Sequence, residues 1–400
     1  ITGYDFSIID LPLLHSQMEA LFHGNFNQVY ASSFNQYGPL SLALSKPFVY
    51  LARDIIGFPT GWVVTRFIIE LASLLAVGGF TVALVKRTSP NQPTKDSLII
   101  APIIAVVVTG ALLVPDSLYG WGHWGQPVVI LLWIFSAVSL LHEKGWLAGI
   151  LLGLSVGFEP WAILGCVLVI LAVTFRDAIK MTVATTSVAA ALWLPFAVQK
   201  DFSLGNIHWQ MRTDTLWSLF NIHDLQWSVR ILQAMFIVGL SGGIIFWIKR
   251  HLTSPTQKYW LALCSAVLLT AIRIVTDALF FPYYVTTLVA ASVVASVVAW
   301  TVHKRTSAYW FAAATILWAS TEINWGAGLC TVRKDACEFG TLTTSPIFSP
   351  ILLSGIGLLC WILGTYMLTK TYNTKRTQTN EVEYVSDDMN LKDKNPITLA

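Results

Sequence analysis

"GHWGQPVVILLW", residues 122–133, carries His123, Trp124 and Gln126 straight into an apolar run. A soluble core hides such a run once or twice, whereas this chain repeats it throughout. Of 400 residues, 55% are hydrophobic and 12% charged, with 17 Trp and a mean hydropathy of +0.62. That composition belongs to membrane proteins. Crossing about 30 Å of hydrocarbon takes roughly 20 mainly apolar residues. About eleven such segments follow one another, near 61–85, 97–115, 127–141, 146–158, 160–175, 181–198, 231–248, 259–280, 284–302, 309–324 and 349–370. The short pair 146–158 and 160–175, divided by Glu159, reads as two short segments or as one broken or re-entrant unit. An all-α polytopic membrane protein is expected. A net charge of +3 is too small an electrostatic footprint for nucleic acid, so no nucleic-acid partner is expected.

The cations alternate along the chain. Lys86, Arg87 and Lys95 lie between the first two segments, Arg176 and Lys180 after the fifth, Lys249, Arg250 and Lys258 after the seventh. Lys304, Arg305, Lys370, Lys375 and Arg376 continue the series. The positive-inside rule places these loops and the C-terminal tail in the cytoplasm. Outside lie a first segment, 1–60, and the loops 114–126, 199–230 and 325–348 of a multi-helix domain spanning 61–370. Residues 371–400 are polar, mixed in charge and poor in apolar residues, the composition of a disordered cytoplasmic tail. An odd number of spans beginning outside, in a chain that opens on Ile1, predicts a further membrane helix or signal segment ahead of it.

Cys166, Cys264 and Cys360 fall inside the apolar segments and read as small buried residues. Cys330 and Cys337 stand in "CTVRKDAC", in an outer loop where a disulfide is expected. The spacing fits no standard zinc pattern.

The outer segments concentrate the chemistry. From Ile8 to Phe22, apolar residues recur at spacings of three and four, predicting an amphipathic helix along the outer surface. Asp5 and Asp10 stand at its start, as helix caps or as a partly desolvated general base. The loop "VPDSLYGWGHWGQP" collects Asp116, Tyr119, Trp121, His123, Trp124 and Gln126. The loop "GNIHWQMRTDTLWSLFNIHDLQW" adds His208, Trp209, Gln210, Arg212 and Asp214. Trp and Tyr at this depth form an interfacial belt. Flat apolar rings beside hydrogen-bonding groups also suit a sugar, whose C–H faces stack while its hydroxyls need directed partners.

Ionisable side chains within spans are costly and so become functional candidates. Arg66 and Glu70 are four apart and can pair on one helix. Glu159 precedes Pro160 at a helix break. Arg273 and Asp277 are again four apart, a guanidinium able to hold a phosphate or to be neutralised by its neighbour.

Taken together, these stretches resemble the GT-C glycosyltransferases, specifically the polyprenyl-phosphate-sugar-dependent family that includes bacterial mannosyltransferases. The first outer loop of that family has an Asp about fourteen residues before the Gly of an "LL-x-G" helix end, then a Tyr and a Tyr-Pro-Pro turn. Asp10, "LFHG" ending at Gly24, Tyr30 and "YGPL" with Pro39 take those places. Gly125 and Gln126 match the Gly-Gln that opens a long apolar helix, "LAGILLGLSVGFEPWAILG" matches a glycine-rich helix, and "FPYYVTTL" loosely matches a Pro-His-Tyr. The likeness runs from Asp5 to about residue 300, with Glu159 in place of a Lys, Gly38 of a Pro and Tyr283 of a His.

The resemblance implies a GT-C fold and a plasma-membrane enzyme with its active site facing outward. The donor would be a polyprenyl-phosphate sugar, mannose-like or arabinose-like, and the acceptor a cell-envelope glycan or glycolipid, with inversion at the anomeric carbon. Asp10 would be the base, with Asp5 in reserve. Substrate contacts would come from His123, Trp124, Gln126, Glu159, His208, Trp209, Gln210 and Tyr283, and phosphate contacts from Arg66, Arg212 and Arg273. No cofactor is required, although Asp5, Asp10 and Asp116 could gather round a divalent cation. Two other readings fit the buried charges: a lipid-linked sugar flippase or transporter, and a non-catalytic membrane subunit that binds glycolipid.

Overall fold

The computed structural model describes residues 10–31, 37–57, 60–89, 92–112, 125–203, 209–210, 215–220, 222, 224–225, 227–252, 254–277, 283–331 and 351–370. Helix α1 (Asp10–Phe22) is followed by the short α2 (Phe26–Val29) and by α3 (Pro39–Tyr50), which runs into a π-helical turn at Leu51–Ile55. Then come α4 (Thr60–Thr88), α5 (Lys95–Leu112), α6 (Gly125–Leu141), α7 (Gly145–Phe158), a 3₁₀ segment (Pro160–Leu171) and α8 (Phe175–Ala197). Two-residue strands β1 (Trp209–Gln210) and β2 (Asp224–Leu225) flank a 3₁₀ turn at Leu216–Phe220. The remaining helices are α9 (Trp227–His251), α10 (Gln257–Val275), α11 (Tyr283–Thr301), α12 (Arg305–Thr331) and α13 (Ile351–Lys370).

Six helices among the described residues are long and apolar enough to cross a membrane: Val63–Thr88, Lys95–Leu112, Phe175–Ala197, Ser228–His251, Gln257–Val275 and Ile351–Lys370. Four other apolar segments, Gly125–Leu141, Gly145–Phe158, Pro160–Leu171 and Val285–Thr301, are shorter. Against the expected count of about eleven spans, the described residues therefore contain six helices of full length. Outward faces support the membrane class: Phe67, Leu71 and Leu75 on α4, and Ile99, Ile103 and Val107 on α5, form exposed stripes at four-residue spacing. Such apolar stripes are stable against lipid and not against water. α10 is the central helix, buried on every side from Trp260 to Ile274.

The pair on either side of Glu159 is a hairpin. Gly165 of the 3₁₀ segment meets Leu152 and Trp133, so the chain turns at Glu159 and runs back along α7. Its twelve residues, at a 3₁₀ rise of about 2.0 Å, reach roughly 24 Å where an α-helix would reach about 18 Å. α7 itself is held by glycine spacing. Gly145, Gly149, Gly153 and Gly157 form one face that admits α8 at backbone contact, against Asp177, Met181, Thr185, Val188 and Leu192. The Thr185 hydroxyl donates to Gly149 O at 3.1 Å across this contact. Small residues let helices approach where lipid supplies no hydrophobic drive.

Basic side chains gather at one end of the bundle. Lys249 Nζ donates to Ile170 O and Ala172 O, both at 2.8 Å, and Lys258 Nζ donates to Leu141 O at 2.8 Å. Each satisfies carbonyls that a helix C-terminus leaves over, where a cation also suits the dipole. Cys264 and Cys360 are buried as expected, but Cys166 is exposed on the 3₁₀ segment, a correction to its reading as a buried residue. The C-terminal tail 371–400 lies outside the described residues.

Candidate functional site

The opposite end of the bundle is built around a carbonyl at the C-terminus of α7. α7 ends at Phe158 because the residue before a proline avoids the helical region, and Glu159, ahead of Pro160, is extended at φ −144° and ψ 127°. Phe158 O is satisfied from far along the chain: Gly38 N–H donates to it at 2.9 Å and the Ser41 hydroxyl at 2.8 Å. The turn before α3 is thus fastened directly onto the α7 hairpin. Gly38 is required by this approach, because a Cβ there would overlap the backbone of Gly157 and come within 2.8 Å of Phe158 C. The place where the resembled family writes a proline is here a backbone donor.

Glu159 sits at the tip of the hairpin and is 2% exposed. Its Oε1 accepts no hydrogen bond. It faces Gly125, the first residue of α6, where an added Cβ would lie 3.2 Å from Oε1 and 2.6 Å from Ser41 Oγ. Gln126 beside it is buried. Tyr30, on the segment after α2, is close enough for the Glu159 charge to act on it. Burial first, and that carboxylate second, hold its phenol well above the ordinary range. The neutral phenol donates to Tyr37 O at 2.9 Å, and its ring lies among Trp193, Phe196 and Phe202.

A second charged group adjoins Glu159. Arg273, in the last turn of α10, lays its guanidinium 3.9 Å from the centre of the Trp161 ring and exerts its charge on Glu159. Arg273 Nη2 also meets Asp277 Oδ2 at 3.3 Å. From α9, Arg230 Nη1 reaches Asp277 Oδ1 at 3.2 Å and the buried Gln233 Oε1 at 3.0 Å. One carboxylate is thereby shared by two guanidiniums, an arrangement that lowers the cost of burying each charge. The segment between α8 and α9 docks here, through Trp217 Nε1 donating to Thr276 O at 2.7 Å. Its strands pair antiparallel, Trp209 with Leu225 and Gln210 with Asp224.

The bundle end thus brings together Gln126, Glu159 and Arg273, while Trp209 and Gln210 are placed only by their pairing with Leu225 and Asp224. Tyr283 begins α11, Arg66 lies in the second turn of α4 and Asp10 is the first residue of α1; their side chains are outside the description, as is that of Cys330 in α12. Asp5, Asp116, His123, Trp124, His208, Arg212 and Cys337 lie outside the described residues altogether. Among the described residues no group of three or more His, Cys, Asp or Glu is placed to hold a metal.

α1 forms over Asp10–Phe22, within the stretch where the apolar spacing predicts a helix. Met18 is buried against α2, α3 and α8, whereas Phe22 is exposed beneath the ammonium of Lys46, 3.6 Å from its ring centre. Residues missed from the sequence are Arg230, Ser41 and Trp161. Arg230 carried a signal, a cation in the first turn of an apolar helix. Comparison of the chain with protein-family models, with curated proteins and with solved structures finds no match.

Proposed function

We propose that the protein is a membrane glycosyltransferase of GT-C type that moves a sugar from a polyprenyl-phosphate donor to a cell-envelope glycan or glycolipid at the outer face of the plasma membrane. The observation that carries this reading is the gathering of Glu159, Arg273, Asp277 and Arg230 at the bundle end opposite the lysine-capped one, where the loops rich in His and Trp connect. A transport route would instead place such groups along the bundle near its middle.

In the reaction, an acceptor hydroxyl attacks the anomeric carbon, the bond from that carbon to the phosphate oxygen breaks, and polyprenyl phosphate leaves. Asp10 takes the hydroxyl proton. Guanidiniums stabilise charge gathering on the leaving phosphate, and the oxocarbenium-like transition state follows from glycoside chemistry.

The test uses the full chain in lipid nanodiscs with radiolabelled polyprenyl-phosphate mannose or arabinose and a cell-envelope extract. Label should pass to a new glycan, and Asp10→Asn should slow transfer by about 10²–10⁴-fold while leaving donor binding unchanged. Asp5→Asn should lose clearly less. Movement of intact lipid-linked sugar across vesicles, with no transfer, would establish the flippase reading instead.

A further inference from the structure

Two guanidiniums meet Asp277 on unequal terms. Arg273 has a side chain only 7% exposed, stacked on Trp161 and paired with a carboxylate four residues on, just past the end of its own helix. Arg230 reaches the same carboxylate from another helix, through one of its two terminal nitrogens, and keeps 29% of its side chain exposed. A guanidinium has five N–H donors, and the two bonds made by Arg230 Nη1, to Asp277 and Gln233, employ a minority of them. Asp277 would keep its Arg273 partner if Arg230 turned away. The pair is therefore built so that one cation secures the carboxylate and the other can exchange it for a different anion.

We propose that Arg230 binds the phosphate group of a lipid phosphate at this bundle end, with Asp277 as the internal anion that the phosphate displaces. The proposal deepens the transferase reading and rests on it for the lipid source. The chemistry of the site is narrower than that reading and stands on the geometry alone. Arg230 lies in the first turn of α9, so the helix dipole adds to the attraction for an anion. The fork of a guanidinium matches two phosphate oxygens, where a lysine would act only as a point charge. Arg273, assigned to phosphate from the sequence, becomes a positioning residue that holds Asp277.

The test is direct binding by the full chain in nanodiscs, with farnesyl phosphate, farnesol and inorganic phosphate as separate probes. Farnesyl phosphate should bind, with affinity falling as salt rises, and farnesol should bind at least tenfold more weakly. Arg230→Gln should weaken farnesyl phosphate binding by tenfold or more, and Arg230→Lys by less. Asp277→Asn provides the opposite sign: with the competing anion gone, binding should tighten severalfold. A purely structural cluster would lose binding in both variants, and that outcome overturns the proposal, as does an Arg230→Gln affinity within twofold of wild type. Inorganic phosphate binding as tightly as farnesyl phosphate would overturn the lipid source. Binding with the expected signs, in a protein that transfers no sugar, would retain this site and remove the transferase reading.

Discussion

Gly38→Pro introduces the residue that the resembled family carries at this turn, and the structure makes it disruptive. The objection is not conformational, since Gly38 has φ −74°, a value proline favours. It lies in two contacts. Proline removes the N–H that donates to Phe158 O at 2.9 Å, a loss of about 1 kcal/mol while Ser41 still donates to that oxygen. The ring also places carbon where an added Cβ already meets Phe158 C at 2.8 Å, and backbone cannot yield as a flexible side chain does. Overpacking of this kind costs about 1–3 kcal/mol, so the total is about 2–4 kcal/mol. Gly38→Ala retains the N–H and should show the steric part alone. Ser41→Ala should cost about 1 kcal/mol by itself, and its effect should not simply add to that of Gly38→Pro, because both residues donate to the same oxygen. Equilibrium unfolding in mixed micelles, followed by tryptophan fluorescence, reads all four variants. Gly38→Pro within 0.5 kcal/mol of wild type would show that α3 is not fastened to the α7 hairpin in this way.

The glycine face of α7 predicts contrasting alanine effects: Gly153→Ala, whose Cβ would lie 2.6 Å from Val188 Cβ, should destabilise by about 1–3 kcal/mol in the same unfolding assay. Gly239→Ala on α9, with open space around it, should be neutral or stabilise by up to about 1 kcal/mol. Glu143 and His303 each hold φ 60° after a helix, with Lys144 N–H returning to Ser139 O and Lys304 N–H to Ala299 O. Replacing either residue by glycine should raise stability by about 1 kcal/mol, and a loss instead would mean that their side chains matter more than their backbone. Tyr30→Phe should cost about 1 kcal/mol through the lost bond to Tyr37 O. Because the fold raises the Tyr30 phenol, its contribution is present below the unfolded value of about 10 and is lost as pH climbs through the folded one. The ultraviolet difference between wild type and Tyr30→Phe should accordingly show no phenolate band in the folded protein at pH about 10.

What the sequence disclosed follows from how local each feature is. The "LFHG" helix end appears as Gly24 at φ +76°, with Asn25 N–H returning to Ala20 O, since a left-handed residue after a helix is written in a few neighbouring residues. Arg273 and Asp277 pair because four residues make one helical turn. Arg230 joins them across 47 residues, and nothing in its own stretch points to Asp277. The 3₁₀ form of Pro160–Leu171 was hidden for another reason. A segment apolar on all sides carries no periodicity to separate a 3.0-residue turn from a 3.6-residue one. Ser41 donates to Phe158 O from 117 residues away in the chain, and nothing in its own stretch points to that carbonyl.

Where the protein puts its polar groups bears on the choice between transferase and transporter. Hydroxyls within the helices largely turn back on their own turns: Thr81 to Val77 O, Thr270 to Ala266 O, Thr321 to Leu317 O and Thr365 to Trp361 O. Such bonds satisfy the side chain without offering anything to a passing solute. Charge is treated differently. Lys249 and Lys258 are consumed in holding carbonyls at one end, whereas the guanidinium pair at the other end shares a single carboxylate, with a buried Glu159 oxygen that accepts no bond close by. An end that only closed the bundle would do better with apolar packing, because buried ion pairs contribute little to stability for their desolvation. Keeping four ionisable groups there is economical if they meet a charged reactant, and the loops joined to that end carry the aromatic and imidazole groups that a sugar phosphate needs beside them.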